Sequence, residues 1–126
     1  MTPETNLLRQ IHPSFVQNGR VTSQAFRPTP KDGSHLSTYD GDQISAADSW
    51  VHFTGQENCR SCGVMAVTNA ECIAQELIVI ADGMPFLEHV SVDFSAFEKS
   101  EIEKRAKALS RLAQARGWLY QNAEVA

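Results

Sequence analysis

Apolar residues gather along the chain in a few segments whose spacing separates strands from helices. The stretch "ELIVIA", Glu76 to Ala81, is nearly continuous in branched apolar side chains, the pattern of a strand covered on both faces, whereas "HVSVDF", His89 to Phe94, alternates. With "GVMAVT", Gly63 to Thr68, these predict the middle of a sheet. Farther on, Ile102, Leu109, Leu112 and Ala113 share one stripe of a helix expected from Glu101 to Arg116, with Gly117 ending it. Trp50 and Phe53, three apart, fall on one face of a helix over Ala46 to Phe53, and a shorter helix is expected over Asn69 to Glu76. Ser45-x-x-Asp48, Thr68-x-x-Glu71 and Ser100-x-x-Glu103 each place a hydroxyl three residues before an acid, the chemistry that satisfies free amides at a helix N-terminus.

The first third reads differently. Asn18-Gly19, Pro28-Thr29-Pro30, Asp32-Gly33 and Asp40-Gly41 are turn signals, and between them lie short strand pieces, "LLRQI", "VTSQAF" and "HLSTY". The expected fold is therefore α+β: a single domain over residues 1–126, with a β-rich N-terminal third followed by a mixed sheet. About three helices, the longest of them C-terminal, are expected on one face of that sheet.

Composition narrows the functional classes. With 11 basic and 15 acidic residues the net charge is -4, which argues against a nucleic-acid footprint, since that needs clustered Lys and Arg. The densest basic run, "KRAKALSR" from Lys104 to Arg111, reads as a solvated helix face. "MTPETNLLRQ" lacks the basic and apolar regions of a signal peptide, and nowhere do eighteen apolar residues run together, so a cytoplasmic protein with no membrane contact is expected. Cys59, Cys62 and Cys72, an odd number, fit free thiols better than a disulfide framework.

Several residues together resemble a group of small uncharacterised bacterial cytosolic proteins: Arg9-x-Ile11-x-Pro13, Ser23-x-Ala25-Phe26, Leu36-Ser37, Gly63-Val64-x-Ala66-Val67, and His89 beginning a strand. The resemblance spans most of the chain and implies a bacterial cytosolic origin. It brings no activity, cofactor or catalytic residue with it.

Motif chemistry is sparse. "CRSC", Cys59 to Cys62, offers half of a zinc site, but no second pair completes it, and the strand expected after Cys62 denies it the helix N-terminus that would activate a thiol. A calcium loop beginning at Asp40 fails at Ile44, Ser45 and Val51. Phosphate-loop, dinucleotide, nucleophile-elbow and zinc-protease signatures are absent, so neither metal nor cofactor is expected. The leading expectation is a non-catalytic module that binds another protein through Phe15, Arg20, Phe26, Arg27 and Tyr39, the aromatic and arginine residues of turn-rich segments. The alternative is a small enzyme or binding protein for a phosphate-bearing or nucleotide-like ligand. There, a hairpin at Asn18-Gly19 brings Arg9 and His12 together with Ser23 and Arg27, the arginines holding the anion and His12 moving a proton. His89 is expected to be a structural histidine hydrogen-bonded to nearby backbone.

Overall fold

The computed structural model describes residues 1–29 and 33–122. Strand β1 (Asn6–Ile11) leads through a 3₁₀ turn (Pro13–Phe15) into the two-residue strands β2 (Val16–Gln17) and β3 (Arg20–Val21), and a second 3₁₀ turn (Ser23–Phe26) precedes β4 (His35–Asp40). Then come α1 (Ala46–Thr54), β5 (Gly63–Thr68), α2 (Asn69–Ala74), β6 (Ile78–Ile80), β7 (His89–Asp93), α3 (Lys99–Arg116) and β8 (Tyr120–Gln121). The α+β class and the long C-terminal helix agree with expectation. Pro30, Lys31 and Asp32, which carry two of the predicted turn signals, lie outside the described residues.

Among the described residues six strands form one sheet in the order β6-β7-β4-β1-β5-β8 with every pairing antiparallel, so the sheet is antiparallel rather than mixed as expected. The helices lie on both faces rather than one. On one side α3 and the second 3₁₀ turn close the larger core, in which Leu7, Phe26, Leu36, Val92, Phe94 and Leu109 are fully or almost fully buried. On the other side α1 lays Trp50 and Phe53 over Leu8, Tyr39, Val64 and Ala66. Because successive strand residues face opposite ways, Leu7 and Leu8 serve different cores, which is why β1 has apolar residues in sequence rather than in alternation.

Local chemistry explains most boundaries. Asn18 and Gly19 both have positive φ, 53° and 76°, as a two-residue hairpin turn requires, and they join β2 to β3. Ser45 Oγ accepts from the Asp48 amide at 3.1 Å, and Thr68 and Glu71 form a reciprocal capping box at α2. Ser100, in contrast, caps nothing: α3 begins at Lys99 and its N-cap residue, Glu98, makes no side-chain capping bond. "VTSQAF" is a strand only at Val21, since Ser23–Phe26 coils into the 3₁₀ turn that seats Ala25 and Phe26 in the core. "ELIVIA" is not a central strand. Its three-residue core, β6, is the sheet edge, where Val79 packs inward while Ile78 and Ile80 remain 56% and 37% exposed.

Helix α1 packs chiefly over β1, β5 and β8 and touches β4 through His52 and Tyr39. Over the β4 and β7 part of that face lies the segment 81–88, which connects β6 to β7 and carries Asp82 and Phe86. The candidate site is formed there.

Candidate functional site: a Ser37–His89–Asp82 relay beside Arg9

Strands β4 and β7 pair with Ser37 opposite Ser91 and Tyr39 opposite His89, so the side chains of all four share the sheet face that α1 half covers. His89, 7% exposed, is clamped through both ring nitrogens: Nδ1 lies 2.6 Å from Asp82 Oδ1, and Nε2 lies 3.1 Å from Ser37 Oγ. Ser91 Oγ donates to the other Asp82 oxygen at 2.9 Å. Burial alone raises the Asp82 carboxyl, but the bonds from His89 and Ser91 outweigh it and hold the group below its ordinary value, as a carboxylate. A carboxylate can only accept, which places a proton on Nδ1; in the neutral ring Nε2 is then the acceptor for the Ser37 hydroxyl. Ser37 is an exposed residue, and its hydroxyl ends the chain of bonds.

Asp82 reaches this position through a sharp reversal. The Asp82 amide bonds to Ile80 O at 3.0 Å, and Gly83, at φ 63°, turns the chain so that its amide meets His89 O at 3.2 Å. A side chain at Gly83 would strain that conformation. Phe86 then folds back, stacked on Tyr39 at 4.6 Å between ring centroids and edge-on to His52 and His89 at 4.7 and 5.2 Å. Burial, with the charges of Cys59 and Glu88, pushes the Tyr39 phenol up, so Tyr39 keeps its proton, and its hydroxyl lies 2.7 Å from His52 Nδ1.

Beside the relay is a cavity of about 190 Å³ whose lining includes Arg9, Gln10, Ser37, Phe86 and His89. It exists because β1 and β4 pair only at Leu7–Asp40 and Leu8–Tyr39 and then part. Arg9 fills the gap: Nε donates to Ala25 O at 2.7 Å and Nη1 to Ser37 O at 3.0 Å. Burial lowers the guanidinium to about 10, which still leaves it charged at neutral pH. Among the described residues no carboxylate pairs with it, whereas nearby Arg27 and His35 face Glu103 at 3.7 Å and Asp93 at 3.5 Å. Gln10, at the cavity wall, gives its amide N–H to Ser49 Oγ at 3.0 Å and leaves Oε1 buried without a donor.

The residues singled out by sequence scatter. Arg9 and Arg27 do meet, in a cleft of about 80 Å³ shared with Ser37 and His35. His12 does not join them, because its Nδ1 accepts from the Ser14 amide at 3.0 Å and caps the first 3₁₀ turn. Phe26 is 0% exposed and Tyr39 3%, so neither presents a surface to a partner. Phe15 is half-buried against the larger core, and Arg20 is exposed on β3. The His89 ring bonds to two side chains rather than to backbone. Sequence reading missed Ser37 and Asp82 as functional groups, since their only local signals are a polar position in a strand and an Asp-Gly turn.

All three cysteines are free thiols, and burial pushes Cys62 up and Cys72 to about 12. Among the described residues no three His, Cys, Asp or Glu side chains are grouped to hold a metal ion, and no helix is long and apolar enough to cross a membrane. Comparison of the chain with protein-family models, curated proteins and solved structures finds no match. The reading of the site therefore rests on its geometry.

Proposed function

We propose that this α+β domain is a small serine-dependent hydrolase acting on esters or other activated acyl compounds. The observation that carries the reading is the continuous bond chain from exposed Ser37 through buried His89 to ionised Asp82. In the first step His89 Nε2 takes the Ser37 proton while Oγ attacks the acyl carbon and its carbonyl electrons move onto oxygen. Collapse breaks the bond to the leaving group, which departs with the proton from His89, and an acyl-serine remains. Water, deprotonated by the same Nε2, then attacks the acyl-serine and releases the acid and free Ser37. Asp82 keeps the ring in the tautomer that accepts at Nε2. The cavity lining also includes Gln56, a side-chain donor for the developing oxyanion.

The test is turnover of p-nitrophenyl acetate and butyrate by the purified chain and by Ser37→Ala. Release of nitrophenol above the buffer rate, lost in Ser37→Ala, supports the reading; equal rates for the two chains contradict it.

A second reading keeps the expected protein partner but moves its surface. Ile78, Met84 and Leu87, 56%, 70% and 75% exposed along β6 and the segment after it, favour contact with another protein. That association weakens in Ile78→Ser and Leu87→Ser if these residues make it, as sedimentation of the isolated complex would measure.

A further inference from the structure

We infer that the substrate of the Ser37 site carries a carboxylate on its acyl portion, held by Arg9. The inference rests on the hydrolase reading for the word substrate, but its binding half stands on separate observations.

The first is the charge left over. Arg9 is half-buried at the junction of β1 and β4, and no carboxylate among the described residues neutralises it, while Arg27 and His35 beside it are already paired. Desolvating a cation without a counter-ion is unfavourable, and a bound anion removes that penalty.

The second is which part of the guanidinium is committed. Nε faces Ala25 O and one Nη1 hydrogen faces Ser37 O, at 2.7 and 3.0 Å. Nη2 and the second Nη1 hydrogen keep no partner among the described residues, donors of the kind that receive a carboxylate. The third is distance along the chain of contacts. Arg9 donates to the Ser37 carbonyl and lines the same cavity as Ser37 and His89, so a ligand held by Arg9 there lies beside the residue whose hydroxyl ends the relay.

Charge count and size decide between anions. One uncompensated cation balances a monoanionic carboxylate, whereas a phosphate dianion leaves a surplus negative charge in a partly desolvated site. The cavity, about 190 Å³, is also smaller than the few hundred cubic ångströms typical of nucleotide-sized ligands.

The experiment has a kinetic arm and a binding arm. In the first, p-nitrophenyl butyrate is compared with the mono-p-nitrophenyl ester of glutarate, which has a similar acyl chain ending in a carboxylate. The wild-type chain should favour the glutarate ester in kcat/KM by about 10- to 100-fold, the range for a charge-assisted hydrogen bond, and Arg9→Lys should lose most of that preference. In the second, free glutarate is titrated onto the Ser37→Ala chain and followed by the NMR signal of the Arg9 Nε–H, which needs neither turnover nor an Arg9 variant that folds. A saturable shift supports the inference. Glutarate binding at Arg9 without any ester turnover removes the hydrolase reading and leaves the carboxylate site standing. Turnover of both esters at equal rates with no shift at Arg9 overturns the inference and leaves the hydrolase reading intact. Inorganic phosphate shifting Arg9 at lower concentration than glutarate also overturns it.

Discussion

Ser37 differs from the other exposed serines in what stands behind it: an imidazole held at both nitrogens, one of them on an ionised carboxylate. The Ser37 hydroxyl contributes one bond to that ring, which the strand and Asp82 also hold. Ser37→Ala should cost about 0.5 to 1.5 kcal/mol in urea, the range for one hydrogen bond, while losing turnover. Asp82→Asn makes a sharper test of positioning. An amide at this place accepts from Ser91 and donates to Nδ1, which moves the imidazole proton to Nε2 and removes the base. Turnover should fall by about 10³- to 10⁴-fold with the fold retained, and Asp82→Glu should recover part of it. A loss of turnover that merely follows loss of folded protein in circular dichroism would contradict the positioning role.

At the scale of elements, α3 shows how a helix stripe can be right in period and wrong at one position. Leu109, Ala106 and Ala113 are fully buried, and Ile102 packs at the rim, but Leu112 turns outward, 36% exposed, while Lys104, Lys107 and Arg111 lie in water. Leu109→Ala should cost roughly 2 to 5 kcal/mol in urea unfolding, and Leu112→Ala less than about 0.5 kcal/mol. Equal effects would mean the helix is rotated. What the sequence made legible was local: the Asn18-Gly19 hairpin, the caps at Ser45 and Thr68, and the apolar periods of β5, β7 and α3. What it hid was long-range. A continuous apolar run such as "ELIVIA" does not say whether it will be central or, as here, an edge whose neighbour covers only one side. The site was hidden for the same reason, since Ser37 and His89 meet only through the β4–β7 register, and Asp82 reaches them only by the turn at Gly83. The alternation of "HVSVDF" placed His89 and Ser91 on one face but could not name what faced them.

At the scale of the whole molecule, the two ends of the helical layer are tied together by one carboxylate. Glu71, at the start of α2, accepts from Arg116 at the end of α3 through both oxygens, at 3.0 and 2.9 Å, and from the Thr68 amide at 2.8 Å, while Arg116 also donates to Ala66 O of β5. Burial raises this carboxyl, but the bonds from Arg116 and Thr68 outweigh it, so its folded value lies below the ordinary one. A depressed carboxyl stabilises the fold above its unfolded value, and the contribution is lost as pH falls through the folded value. Glu71→Gln should lower stability by about 1 to 3 kcal/mol at neutral pH, the range for hydrogen bonds to a charged group, and the difference from wild type should shrink in acid. A gap that is constant with pH would remove the ion pair from the account. The relay occupies the opposite face of the sheet from this clamp, where Leu36, Val90 and Val92 seat β4 and β7 in the larger core. The most direct test of the central claim is reaction of the purified chain with a fluorophosphonate, followed by mass spectrometry of its peptides. The account predicts one adduct per chain, on Ser37, abolished in His89→Gln; an unlabelled chain, or an adduct spread over several exposed serines, would contradict it.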